Sequence, residues 1–197
     1  MALTPTSRVD ALDYIHGLRS VLESLPLGDL DAAVECLRAA YTRGSQVFLV
    51  GNGGSASTAS HMACDLAKTV MLGTGDVWAK RFRVVSLTDN VALMTAWAND
   101  TSYANVFAEQ LRNIANAGDI LIAISVSGNS PNIVQAVSLA RRMAITTISL
   151  LGCDGGTVRK LSDLCVVVNS TDYGYVEDAH LVLNHLITSH LKARLFE

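Results

Sequence analysis

Apolar residues recur at helical spacing through residues 9–25 (VDALDYIHGLRSVLESL). A break at Pro26-Leu27-Gly28 follows. Residues 30–43 (LDAAVECLRAAYTR) then resume the pattern, with Asp29 placed to cap the second helix. The pair reads as a helical hairpin. Its apolar faces need cover (Leu12, Ile15 and Leu22 on one helix, Leu30, Val34 and Leu37 on the other), either from the domain's own core or from a subunit interface. After Gly44 the period changes. Residues 46–51 (QVFLVG), 83–88 (RVVSLT), 119–125 (DILIAIS), 145–152 (ITTISLLG) and 164–169 (LCVVVN) are short, nearly continuous apolar runs rich in Val, Ile and Leu. Such runs suit parallel strands buried on both faces. Helical patterns alternate with them at 55–69, 90–98, 103–116, 131–143 and 157–161, and a long helix spans about 175–195. The alternation predicts an α/β fold: a doubly wound, five-stranded parallel sheet flanked by helices and preceded by a helical hairpin. With no repeat, low-complexity tract or linker, residues 1–197 read as a single domain, with 1–43 serving packing or oligomerisation.

In open parallel sheets, ligands bind beyond the carboxyl ends of the strands. Two such ends share one character: Gly51-Asn52-Gly53-Gly54-Ser55 and Ser125-Val126-Ser127-Gly128-Asn129-Ser130. Each lies between an apolar strand and a helix start. Glycines let backbone approach a ligand, serines add donors, and the helix N-terminus offers free N–H groups and a positive dipole end. A phosphate suits that environment. The plainer alternative is that Ser55 and Ser130 only cap helices. GxGxxG is absent and no Gly-Lys-Ser/Thr follows, so a phosphorylated small molecule is expected rather than a nucleotide cofactor.

Composition narrows the classes. The chain is 50% hydrophobic and only 17% charged, with net charge −3. It lacks the basic stripe of a nucleic-acid groove, and acidic membrane surfaces are disfavoured. No apolar run reaches the roughly 20 residues of a spanning helix. Residues 1–10 (MALTPTSRVD) do not read as a secretory signal. Cys36, Cys64, Cys153 and Cys165 are scattered without a CxxC pair, as expected of buried thiols in a reducing, cytoplasmic setting.

The motifs GNGGSA…H (51–61), LTDN…TAWANDTSY…VFAEQL (87–111), GDILIAISVSGNSPNIVQA (118–136) and EDAHLVLNH (177–185) resemble the sugar isomerase (SIS) fold. More narrowly, they resemble the sedoheptulose-7-phosphate (phosphoheptose) isomerases, over nearly the whole chain. The resemblance implies a homotetramer with active sites built from more than one subunit. It implies sugar-phosphate binding by Ser55, Ser125, Ser127 and Ser130, with Asn52 and Gly53 nearby and Asp100 and Glu177 near the substrate.

His61 and Asp65 stand four apart on one predicted helix face. Glu177, Asp178, His180 and His185 lie on the last helix. Aldose–ketose isomerisation moves a proton between adjacent carbons through an enediol, work that a carboxylate and a histidine suit. Aligned on its motifs, the family's active-site carboxylate falls on Asp65 and its histidine on His185. The resemblance also implies that zinc can bind at His61, Asp65, Glu177 and His185, a donor set that suits it.

Several positions depart from the family pattern. Asp65 stands for the usual glutamate, Glu177 for glutamine, Thr69 (beside Lys68) for an arginine and Val126 for threonine; near Gly174 an aspartate is usual. They mark a divergent member. His16 and His190 read as helix-face residues, and His180 as structural or supporting. Asp89 reads as a helix cap, and Trp97 and Tyr103 as packing.

The expected activity is isomerisation of sedoheptulose 7-phosphate to D-glycero-D-manno-heptose 7-phosphate, or of a related heptose phosphate. The alternative is a non-catalytic sugar-phosphate-binding or protein-interaction module, such as relatives that assemble with a replication initiator and lack the acid/base pair. A third class, sugar-phosphate sensors, commonly carries a separate DNA-binding domain that does not fit in this chain.

Overall fold

A computed structural model describes residues 11–73, 75 and 78–196. Residues 1–10, including the first two positions of the opening helical pattern and the stretch read as no secretory signal, lie outside the described residues. Two helices, α1 (Ala11–Glu23) and α2 (Leu27–Arg43), precede β1 (Gln46–Val50). Then come α3 (Gly54–Ala67), a 3-10 turn (Thr69–Met71), β2 (Arg83–Ser86), α4 (Val91–Asp100), a second 3-10 turn (Tyr103–Asn105) and α5 (Val106–Ile114). The chain continues through β3 (Ile120–Ser125), α6 (Pro131–Arg142), β4 (Thr146–Leu151), α7 (Gly156–Leu161), β5 (Leu164–Val167) and α8 (Tyr173–Phe196).

All strand pairs are parallel, in the order β2-β1-β3-β4-β5. Strand alternation feeds two cores. Val47 and Leu49 of β1, with Ile120, Ile122 and Ile124 of β3, face α2, α3 and α8. Phe48, Val50, Leu121 and Ala123 face α5 and α6. Every residue of β3 is buried, which is why its sequence reads as a continuous apolar run. The order reverses between β1 and β3. This topological switch point places a ligand crevice beyond the ends of those two strands, where both serine–glycine loops emerge.

The hairpin divides its two expected roles. On α2, Leu30, Val34 and Leu37 are buried in the domain's own core. No residue of α1 is buried, and Ile15 is 56% exposed. A Tyr14 Oη–Asp178 Oδ2 hydrogen bond of 2.8 Å ties α1 to α8, and it pushes the phenol up to about 12.

Two expected caps are corrected. Asp29 lies in the first turn of α2, which Pro26 precedes without a side-chain cap. There its charge faces the positive helix end. Asn90, not Asp89, caps α4 by accepting from Leu93 N. Asp89 instead accepts from Ser60 of α3 and from Thr88.

Candidate active site

The serine loops line one cavity of about 130 Å³. Its walls include Asn52, Ser55, Ser125, Ser127, Ser130 and Glu177. Gly53 makes the turn into α3 with φ +54, and the first amides of that helix lack intrahelical acceptors. Ser125 Oγ accepts from Gly128 N (3.1 Å) and Ser127 Oγ from Asn129 N (3.3 Å), so each keeps its hydroxyl proton to donate. Ser55 lies inside the first turn of α3, and Ser130 precedes α6 without a side-chain cap bond. Neither side chain caps its helix. The cavity therefore offers hydroxyl protons beside a helix N-terminus, the environment a phosphate dianion needs.

Six residues beyond Ser55 on α3, about 9 Å along the axis, begins a second group. His61 Nε2 lies 3.5 Å and His185 Nε2 3.8 Å from Asp65 Oδ2. The two imidazoles are about half exposed, with ring centroids 5.1 Å apart, while the Asp65 side chain is only 9% exposed. Two hydrogen bonds fix that carboxylate: Thr69 Oγ1 donates to Oδ1 and Asn184 Nδ2 to Oδ2, each at 2.8 Å. The arrangement couples a buried, oriented carboxylate to two accessible imidazoles, a set able to take and return protons.

The SIS domain pattern matches residues 13–152. The phosphoheptose isomerase of Pelobacter propionicus is 36% identical over 157 residues, covering 80% of each chain. This chain belongs to the phosphoheptose isomerase family of SIS-domain proteins. The phosphoheptose isomerase of Geobacter sulfurreducens is 34% identical over 190 residues, covering 95% of this chain and 98% of that one. Among solved structures, phosphoheptose isomerase from Neisseria gonorrhoeae superposes with a TM-score of 0.83 at 26% identity, covering 92% and 95% of the two chains. The five-stranded parallel sheet and its flanking helices are thus the SIS architecture.

Two expected site residues, Glu177 and Asp100, stand apart from the carboxylate–imidazole group within this chain, and Tyr103, read as packing, reaches the site. Glu177 is not gathered with His61, Asp65 and His185, which form a three-residue metal-type group. It lines the serine cavity instead; a Cβ on Gly54 would lie 2.7 Å from its Oε1. The cause is its place on α8, eight residues and about 12 Å before His185. Asp100 ends α4, is exposed, accepts from Asn99 Nδ2 (2.9 Å) and is not among the residues that line the cavity. Tyr103 is not packing: it is 56% exposed and donates to Asn52 Oδ1 (3.2 Å).

The three-residue group fits a zinc ion. Two nitrogens and one carboxylate oxygen are its usual donors, and tetrahedral ligands on bonds near 2.0 Å stand about 3.3 Å apart, close to the separations seen. Asn184 and Thr69 would orient the carboxylate ligand from behind. Where an arginine is usual, Thr69 supplies a hydrogen bond to Asp65 in place of a charge. Buried Val126 gives the serine cavity an apolar wall where a hydroxyl is usual.

His180 stands apart. It is 1% exposed, and neither ring nitrogen has a hydrogen-bond partner among the described residues. Burial pushes it down from 6.5 to about 4, opposed in part by the nearby Leu151 backbone. The unfolded chain therefore binds more protons between those values, so stability is complete above pH 6.5 and falls as pH drops toward 4. The loss approaches about 3 kcal/mol. Urea unfolding at pH 7 and pH 5 should show this, and His180→Leu should flatten it. An equally steep loss in the variant would exclude His180 as the cause.

Proposed function

We propose that this protein is an aldose–ketose isomerase that converts sedoheptulose 7-phosphate to D-glycero-D-manno-heptose 7-phosphate. The observation that carries this reading is the joining, along α3, of a hydroxyl-lined phosphate cavity to a carboxylate–imidazole group about two helical turns away. That separation leaves room for several carbons between the phosphate and the reacting carbonyl. The phosphoheptose isomerase names of the relatives point the same way.

In the reaction, a base takes the proton from C1 while the C2 carbonyl oxygen gains one, giving an enediol. The C1 hydroxyl then releases its proton and C2 gains one, which yields the aldose. Asp65 and His185 hold and move these protons, Asp65 being fixed by Asn184 and Thr69. Zinc held by His61, Asp65 and His185 would add Lewis-acid polarisation of the substrate oxygens. Ser55, Ser125, Ser127 and Ser130 anchor the phosphate, Asn52 and the Gly53 turn complete that wall, and Glu177 receives a sugar hydroxyl. No nucleotide cofactor is required. The presence of the acid/base pair favours an enzyme over a non-catalytic module.

The same reading takes residues 1–197 as one SIS domain and a homotetramer as the working form. The unburied α1 and the exposed Leu27 and Val91 offer apolar surface for subunit contacts. It also includes a cytoplasmic setting; the cysteines are not the buried thiols expected, since Cys64 is exposed and Cys36, Cys153 and Cys165 are half-buried. No helix among the described residues is long and apolar enough to cross a membrane.

The test is incubation of metal-stripped and zinc-loaded protein with sedoheptulose 7-phosphate in deuterated water, followed by NMR. The expected result is deuterium at C1 or C2 together with a new aldose signal. Binding without exchange in both preparations would overturn the assignment.

A further inference from the structure

We infer that Asn132 is a positioning residue that locks the Asn52 side chain as a hydrogen-bond donor toward the phosphate cavity, with Tyr103 completing the lock. The inference rests on the sugar-phosphate reading of that cavity and assigns a residue which does not itself line it. Asn132, in the first turn of α6, is 2% exposed. It faces Asn52 across the switch point between β1 and β3. The two amides bond reciprocally: Asn52 Nδ2 donates to Asn132 Oδ1 (2.9 Å) and Asn132 Nδ2 donates to Asn52 Oδ1 (2.8 Å).

A reciprocal pair alone could be turned over, oxygen for nitrogen, at no cost. A backbone group prevents that. Ile133 N, which also donates to Ser130 O (3.0 Å), donates to Asn132 Oδ1 (3.0 Å); a backbone N–H can only donate, so an amide nitrogen turned toward it would be repelled. The oxygen of Asn132 is therefore fixed, its nitrogen must face Asn52 Oδ1, and the nitrogen of Asn52 must face back. Tyr103 Oη supplies a second donor to Asn52 Oδ1 (3.2 Å). Both acceptor sites of that oxygen are then filled. The valence left on the Asn52 side chain is one Nδ2 hydrogen.

Asn52 lines the serine cavity, so it presents a donor there and no acceptor. The network thereby selects a ligand atom carrying lone pairs and no proton, such as a phosphate oxygen. Loss of Asn132 frees the Asn52 amide to rotate and to offer its oxygen, which repels an anion.

The test is a double-mutant cycle read on inorganic phosphate affinity by calorimetry and on isomerase kinetics. Asn132→Leu should weaken phosphate binding and raise KM by about tenfold or more, with kcat within about threefold. Tyr103→Phe, at an exposed position, should raise the phosphate Kd and KM by about two- to threefold each. In an Asn52→Ala background both effects should vanish, because each residue acts through Asn52. Additive losses in that background, or unchanged phosphate affinity in Asn132→Leu, would overturn the inference. If Asn132→Leu does not fold, the Tyr103→Phe and Asn52→Ala cycle decides by the same criterion. Intact phosphate binding without turnover in the parent protein would overturn the isomerase reading alone. No phosphate binding by the parent protein would overturn both.

Discussion

Asp65→Asn is expected to lower turnover of sedoheptulose 7-phosphate by about 10²–10⁴-fold, the usual worth of a positioned acid/base group, while the fold survives. The charge is lost but the shape is kept. The two donors to Asp65 can both adapt to an amide. The Thr69 hydroxyl can rotate to accept instead of donate. The Asn184 amide can turn over, since its Oδ1 has no hydrogen-bond partner among the described residues. The loss should therefore fall on the chemical step and not on the melting curve. His185→Ala should show the same separation, because that ring is half exposed and its removal opens no cavity in the core. Asn184→Leu, in contrast, removes a buried donor from a charged carboxylate, and should cost about 1–3 kcal/mol of stability as well as activity. The measurements are deuterium exchange by NMR for turnover and thermal unfolding for stability. An Asp65→Asn protein that retains more than about a tenth of the parent turnover would remove Asp65 from proton transfer. It would pass that role to His185 or Glu177.

The contrast between Asp65 and Asn184 also shows how far the sequence could be read. The strands were legible because parallel strands buried on both faces write themselves as unbroken apolar runs, as β3 does. The loops after β1 and β3 were legible because glycine and serine at a strand end have few other reasons to recur. His61 and Asp65 were legible as a pair because four residues on a helix fix a shared face. Asn184 gave no comparable signal. It meets Asp65 across 119 positions of sequence, and only the packing of α8 on α3 creates the contact. Asn132 carries no signal of its own beside the serines of its motif. Tyr103 was misread as packing because an aromatic gives no sign, from spacing alone, of which end is wet. Glu177 was grouped with the histidines by the family resemblance, which implies a four-residue zinc set. Its distance along α8 puts it beside Gly54 and the serine cavity instead.

Gly128→Ala is expected to be the most damaging single methyl in the molecule, costing more than about 4 kcal/mol and abolishing phosphate binding. Gly128 stands in the second serine loop with φ +62, and an added Cβ would collide with the carbonyl oxygen of Gly155 and lie 2.5 Å from its carbon. Both partners are backbone, so no side chain can swing away. Nor can the loop retreat, because Val158 N donates to Gly128 O (2.9 Å). Thr157 N and Oγ1 likewise donate to Asn129 Oδ1 (2.9 Å each). Gly156 presses on the same loop from the other side, its own Cβ position lying 2.5 Å from Ser127 O. The Asp154-Gly155-Gly156 turn, unremarkable in the sequence, thus acts as the mould that holds Ser125, Ser127 and Ser130 in place. Gly118 supplies the control. Its φ of +87 is also positive, but a Cβ there would meet nothing within 4 Å. Gly118→Ala should therefore cost only the backbone strain, about 1–2 kcal/mol, and leave phosphate affinity unchanged. Urea unfolding and phosphate calorimetry on the two variants separate backbone strain from collision. Equal stability losses would mean that the loop can move off α7, and that the serines are held by something other than this glycine contact.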